Sequence, residues 1–367
     1  MTRLKAIIAL LFISVVVLST SYHIVLRKYV IELPKRQHKL QADTKNTTMH
    51  PLREETPLRS GPWIESSLVE LGIWQEQEKR REKVNSICTR MNRSVSFQLS
   101  SDMVSRLIVS DKSKLLFSFI PKVACKTWKE LLVNMIRVQG GNKRKPMMNS
   151  NWVLSDFDRD GRERRLKEYK KVVFVRNPMV RVLSAYLSKL KNFRDLQRHW
   201  EYAFGVDILR KYRPNSTHVV EEALSIPFSQ RPFLNVTFAE FLQFITDRET
   251  NITLTDLTDH WLPQHIVSHV CEIGYDFIGK YENLAVEAPF VLEWLGLTSI
   301  TTFPDIHESN AVFQMANEYL NIPVGHLQAL LEYYSQDMEF FGYDAIDDFY
   351  ENFNETLRLQ MMSTIPR

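Results

Sequence analysis

The stretch that decides the fold runs Leu115-Leu-Phe-Ser-Phe-Ile-Pro-Lys-Val-Ala-Cys-Lys-Thr-Trp128. Its first six residues are apolar apart from one serine and end at a proline, which reads as a buried strand. Pro121 to Lys126 reads as a turn, and Thr127 to Arg137 carries a helical pattern. A second unit repeats this order, with Lys171-Val-Val-Phe-Val175 as strand, Arg176-Asn-Pro178 as turn and Val180 to Lys191 as helix. Two strand, turn, helix units in succession predict an α/β fold with a central parallel sheet flanked by helices. Further on, Thr237-Phe-Ala-Glu240 has the form of a capping box that opens a helix to Thr246. Pro323 suits the first turn of another helix ending near Tyr334.

A strand that runs through a tight turn into a helix aims backbone N–H groups, and the positive end of the helix dipole, at one spot beyond the sheet. That spot attracts phosphate or sulfate. In the first turn Ala124 and Cys125 are small enough for close backbone approach, Lys122 and Lys126 add cationic donors, and Thr127 adds a hydroxyl. The pattern Gly-x-x-x-x-Gly-Lys-Ser/Thr is absent, so this is not the nucleotide-triphosphate loop. In the second turn Arg176 offers a planar fork for a phosphate, and Ser184 on the following helix can donate one hydrogen bond.

The chain has 367 residues, 44% of them hydrophobic, and a formal net charge of +4. This suffices for one large core or two small ones, and the charge is too small to imply nucleic acid. Ala6 to Leu26 lacks Lys, Arg, Asp and Glu. As a helix this segment is long enough to cross a hydrocarbon core of roughly 30 Å, and it reads as a signal anchor behind a cytoplasmic tail of residues 1–5. Basic residues flank it on both sides and do not set its orientation. Six Asn-x-Ser/Thr sequons, at Asn46, Asn92, Asn215, Asn235, Asn251 and Asn354, all follow the apolar segment and favour a lumenal bulk. Residues 27–95 read as a stem, polar and proline-broken at first. A helical pattern follows from Trp63 to Met91, with Ile64, Leu68, Leu71 and Trp74 on one side. Such a helix either pairs with a second copy, giving a homodimer through the stem, or packs on its own domain. The lumenal domain is expected over residues 96–367.

Together the two turns resemble the two nucleotide-binding motifs of sulfotransferases, which occur in this order on strand, turn, helix units. The resemblance implies the sulfotransferase-type nucleotide-binding fold and the donor 3′-phosphoadenylyl sulfate. Pro121-Lys122 matches the pair that grips the 5′-phosphosulfate, within a loop of Pro121, Lys122, Val123, Ala124, Cys125, Lys126 and Thr127. Arg176 and Ser184 match the pair that grips the 3′-phosphate, within Arg176, Asn177, Pro178, Met179, Val180, Arg181, Val182, Leu183 and Ser184. The variant Pro-Lys-Val-Ala-Cys, followed by Arg-x-Pro and Leu-Ser-Ala-Tyr, is similar to Golgi carbohydrate sulfotransferases that modify chondroitin, dermatan and terminal N-acetylgalactosamine. The likeness continues through His260-Trp261, Tyr275 to Leu284 and Phe340-Phe-Gly-Tyr343, so it spans most of residues 85–345. Three positions depart from the family's usual pattern. Lys126-Thr127 stand for Thr-Asn, Met179-Val180 stand for Phe-Glu, and a second cysteine shortly before Cys271 is missing.

These resemblances imply a Golgi membrane enzyme with a single span, acting on an acidic glycan or proteoglycan. Lys122 is the expected catalytic cation at the bridging oxygen, His260 is the expected base, and no metal is required. Basic surface for the acceptor is expected from Lys143-Arg-Lys145, Arg162, Arg164 and Arg165 between the turns, and from Lys189, Lys191 and Arg194 after them. An oxidising lumen permits a disulfide. A bridge at Cys125 would constrain amides that must face the donor, which leaves either Cys88 paired with Cys271 or three free thiols.

Two other classes fit parts of the sequence. A Golgi glycosyltransferase would use Asp158-Arg-Asp160 as a metal site, and a non-catalytic glycan-binding protein would keep the fold without the transfer. The stretch Asp156 to Gly161 also imitates the start of a calcium loop, but its twelfth position is Lys167 where a glutamate belongs.

Overall fold

A computed structural model describes residues 62–138, 153–191, 198–250, 252–305 and 310–344. The expected anchor at 6–26, the stem up to residue 61, the sequons at Asn46, Asn251 and Asn354, Lys143-Arg-Lys145 and Arg194 lie outside the described residues. Among the described residues no helix is long and apolar enough to cross a membrane. Contacts divide the chain into two units, Met1–Glu76 and Gln77–Arg367. The described part of the first is the opening of helix α1 (Pro62–Arg90).

Among the described residues the second unit is built on four strands, in the order β1 (Leu107–Ser110), β2 (Leu115–Ser118), β3 (Lys170–Val175) and β4 (Phe277–Lys280). β1 pairs antiparallel with β2, whereas β2 with β3 and β3 with β4 are parallel. Each parallel pairing needs a crossover, and the segments between the strands supply helices for it. β2 is buried along its whole length, as an apolar strand between two neighbours must be. Between β2 and β3 come α2 (Cys125–Val138) and α3 (Arg159–Glu168), and α4 (Pro178–Lys189) follows β3. The two units read from the sequence are therefore β2-turn-α2 and β3-turn-α4.

Aromatic rings lock α2 onto the sheet. Trp128 packs on Phe117 of β2 at 4.8 Å and on Phe174 of β3 at 5.1 Å between ring centres. Gly279 of β4 lies opposite Phe174 in the ladder. A side chain there would meet the Phe174 ring at 2.2 Å, so the glycine makes room for the ring that seats Trp128.

Later helices include α5 (Phe238–Thr246), α6 (Leu284–Trp294), α7 (Asn310–Tyr319), α8 (Val324–Tyr333) and α9 (Ser335–Phe341). Thr237 and Glu240 form the expected capping box on α5. Pro323 stands just before α8, as its N-cap.

Residues 77–95, read from the sequence as the end of the stem, belong to the second unit. Gln77, Arg80, Val84, Ile87 and Cys88 recur at helical spacing along α1 and are all buried. Gln77 Oε1 accepts from Ile278 N at 2.8 Å while its Nε2 donates to Ile278 O at 3.3 Å. Arg80 donates to the same carbonyl at 2.7 Å and to Glu287 at 2.9 Å. A disulfide joins Cys88 to Cys271, with Cα atoms 5.5 Å apart, and Cys125 is free. The expected stripe shifts accordingly, since Leu71 is exposed.

Candidate active site

The turn after β2 is sharply bent. Lys122 and Ala124 both take left-handed backbone conformations, with φ of +73° and +52°. Neither is glycine, so each costs roughly 1–2 kcal/mol that the surroundings must offset. Two buried arginines supply the restraint. Arg181 Nε donates to the carbonyl of Pro121 at 3.1 Å, and Arg176 Nη1 donates to the carbonyl of Lys122 at 3.1 Å. The chain then enters α2, whose first turn closes with Trp128 N on Ala124 O at 3.0 Å. Lys122 Nζ donates to Ser188 Oγ at 2.8 Å. Burial, reinforced by the neighbouring Lys189 cation, pushes the Lys122 ammonium down to about 8.

The turn after β3 is built differently. Asn177 is the N-cap of α4, its Oδ1 accepting from Met179 N at 2.9 Å and Val180 N at 3.4 Å, and Pro178 takes the first helical position. Arg176 is 3% exposed and lies over the Tyr281 ring at 4.1 Å. Its backbone is clamped by Gln264, which accepts from Arg176 N at 2.8 Å and donates to Arg176 O at 2.7 Å. Its Nε and Nη2 have no hydrogen-bond partner among the described residues. A buried guanidinium with two unused donors is costly, and an anion in front of it removes the cost.

Both turns open on one cleft of about 640 Å³. Of the expected binding residues, Pro121, Lys122, Ala124, Cys125, Lys126, Thr127, Arg176 and Ser184 line it, and so does His260. Lys126 is 85% exposed at its side chain, so it can reach an anion only from the solvent side. Val123, Met179, Val180, Val182 and Leu183 do not line the cleft, because their side chains are packed in the core. Asn177 and Pro178 serve the helix start instead. Arg181 is fully buried and donates to the carbonyls of Pro121, Leu262 and Asp259, which makes it a structural clamp and not a ligand donor.

The structure adds lining residues that the motifs do not mark. Ser188 and Lys189 follow Ser184 by four and five positions on α4, and Tyr281, Leu284 and Phe303 close the opposite wall. Helical spacing from Ser184 was the available signal for Ser188. Phe303 carries no local signal; it reaches the cleft by packing on Trp128 at 4.8 Å.

His260 sits in a 3₁₀ turn, Thr258–His260, against the edge of Trp200. Burial holds its imidazole below the ordinary histidine range. The adjacent Asp259 opposes this, while Lys189 and Lys122 add to it. A neutral imidazole beside two cations is a competent proton acceptor at neutral pH.

The expected basic acceptor surface is largely consumed by structure. Arg165 is buried in a two-pronged pair with Asp111, at 2.7 and 2.9 Å, and Arg162 bonds Ser101 and Ser155. Lys191 pairs with Glu318, whereas Lys189 reaches the cleft and Arg164 is exposed. Asp158 caps α3 through Gly161 N at 2.8 Å, so that carboxylate is engaged in the helix start. Among the described residues no three His, Cys, Asp or Glu side chains gather as a metal site. Asn92, Asn215 and Asn235 are exposed.

The sequence has relatives that agree with this geometry. The sulfotransferase family model matches residues 105–344. A carbohydrate sulfotransferase 14 from Danio rerio is 30% identical over 278 residues, covering 73% of this chain and 71% of that protein. A carbohydrate sulfotransferase 11 from Mus musculus is 31% identical over 282 residues, with 73% and 76% covered. A carbohydrate sulfotransferase 9 from Homo sapiens is 32% identical over 302 residues, with 76% and 63% covered. No solved structure matches the chain significantly. With the family match running from the strand before the first turn to the end of the last described helix, this chain belongs to the sulfotransferase family.

Proposed function

We propose that this protein transfers a sulfuryl group from 3′-phosphoadenylyl sulfate to a hydroxyl of a glycan, with chondroitin or dermatan galactosamine as the first acceptors to test. The observation that carries the reading is Arg176, buried with two unpartnered nitrogens, Nε and Nη2, on the cleft that Lys122 also lines. The names of the relatives support a carbohydrate acceptor. The site is proposed to stand in the Golgi lumen behind the anchor at 6–26. The sequons and the Cys88–Cys271 bridge support that placement.

In this reading Arg176 and Ser184 hold the 3′-phosphate, and the turn amides with Lys126 hold the 5′-phosphate. The acceptor oxygen bonds to sulfur while the bond from sulfur to the bridging oxygen breaks, leaving the electron pair on the nucleotide phosphate. Lys122 lies on the turn where that charge develops, and a cation there lowers the barrier. The hydroxyl proton passes to Nε2 of His260, the ring nitrogen away from Asp259.

The test is radiolabelled donor offered with chondroitin, dermatan, desulfated heparin and N-acetylgalactosamine-capped glycans. Label in chondroitin or dermatan is the expected result. Binding of adenosine 3′,5′-bisphosphate without transfer to any glycan would replace the enzyme with a glycan-binding protein on the same fold.

A further inference from the structure

Asp259 and His260 are neighbours in the chain, and Nδ1 of His260 lies 2.6 Å from Oδ1 of Asp259. Both atoms are buried, and neither has an aligned hydrogen-bond partner among the described residues. One is a potential donor, the other an acceptor, and the distance already suits a bond that lacks only alignment. Hydrogen bonds of this kind commonly tighten when substrate fills the site.

Asp259 itself is held at both ends. Its Oδ2 accepts from Arg106 Nη1, while Arg106 Nη2 also reaches Thr255 O at 3.2 Å and Asp256 Oδ1 at 3.0 Å. Its main-chain carbonyl accepts from Arg181, which binds Pro121 O as well. Arg181 thereby sets the turn bearing His260 against the turn bearing Lys122.

We propose that Asp259 is the positioning carboxylate of His260, fixing the proton on Nδ1 so that Nε2 faces the acceptor hydroxyl as the base. Arg106 holds the Asp259 carboxylate in place. When Nε2 takes the hydroxyl proton, the resulting imidazolium keeps its Nδ1 proton on Asp259, and no further proton moves. The inference rests on the reading of His260 as the base.

The groups around the ring set the sign of the test. Asp259 is the anion beside it, Lys122 and Lys189 are the cations, Trp200 presents an uncharged edge, and Arg106 stands behind the carboxylate. Removing the anion lowers the proton affinity of His260.

The experiment uses the full chain with Asp259→Asn and His260→Gln. The pH dependence of carbethoxylation at His260, read by peptide mass, reports its titration without needing activity. Asp259→Asn is expected to move that midpoint down by ~0.5–1 pH unit. It should also lower kcat by about tenfold or more, with the donor KM nearly unchanged. An unmoved midpoint, with His260→Gln inactive, overturns the role of Asp259 alone. Near-normal kcat in His260→Gln overturns the base reading, and the inference with it. If Asp259→Asn does not fold, Asp259→Glu keeps the charge but displaces it, and full kcat in that variant also overturns the proposal.

Discussion

Arg176 Nη1 donates to the carbonyl oxygen of Lys122 at 3.1 Å, so the arginine at the end of one strand holds the backbone of the lysine beyond its neighbour. The bond crosses between two turns that the sequence separates by more than fifty residues. It uses one of the five guanidinium donors and leaves Nε and Nη2 available on the side of the cleft. The same side chain therefore shapes the first turn and keeps nitrogens free for a ligand in the cleft.

Lys122→Ala is expected to cut turnover by on the order of 10²–10³-fold while changing nucleotide affinity only a few-fold, because the contact strengthens as charge develops. The proposed mechanism needs Lys122 charged and His260 neutral. Activity should therefore fall on the alkaline side near pH 8, where Lys122 loses its proton. The acidic limb should lie below the ordinary histidine value of about 6.5, because burial favours the neutral ring. A kcat/KM profile checks both limbs. Loss of the alkaline limb in Lys122→Arg would assign it, and an unaltered limb there would remove Lys122 from the assignment.

Arg176→Ala should weaken adenosine 3′,5′-bisphosphate by roughly 10–100-fold and Ser184→Ala by about 3–10-fold, in keeping with charged and neutral hydrogen bonds respectively. Calorimetry reads both. Unchanged affinity in the two variants would dismantle the assignment of the second turn.

Glu201 is buried with Oε1 accepting from Asn235 N at 2.8 Å and Oε2 without a partner among the described residues. Burial pushes its carboxyl up to about 7. The folded chain then binds more protons than the unfolded chain between about 4.3 and 7, so stability falls as pH rises across that window. Glu201→Gln should flatten the decline and stabilise the protein near neutral pH by up to ~3 kcal/mol. Melting curves from pH 4.5 to 8 decide it, and an identical slope in the variant would contradict the account.

Replacing Cys88 and Cys271 together by alanine should cost about 2–5 kcal/mol, since their bridge spans 183 positions of the chain. Denaturant unfolding of the native and double-variant proteins gives the difference. Non-reducing peptide mapping should find Cys125 unbridged.

The reading of the sequence reached furthest where a local pattern coincides with a long-range role. The runs 115–120 and 171–175 are apolar because β2 and β3 are the two interior strands, so the central parallel pair was legible at once. That Lys122, Arg176 and Ser184 share one cleft follows from the motif, whose positions sit at the ends of those strands. The direction of Arg181 is not legible in the motif, because a motif lists positions without directions. One residue in the motif turns inward to three carbonyls, while Ser184, three further on, turns to the cleft. The inclusion of residues 77–90 in the folded unit was invisible because Gln77 and Arg80 are buried polar residues, which a hydrophobic stripe does not reveal. Arg162 and Arg165 looked like free cations, since their partners Ser101 and Asp111 lie more than fifty residues away.

The side-chain amide of Gln77 meets Ile278 with one acceptor and one donor, as the backbone of an adjoining strand would. Among the described residues β4 is the last strand on its side of the sheet, and an open rim of that kind invites another chain to extend the ladder. One glutamine occupies the central rung, and Arg80 adds a charged guard at the same carbonyl. Helix α1 thus doubles as a shield against self-association through β-augmentation. This protection matters most at high protein concentration, where an unshielded rim is a route to aggregation.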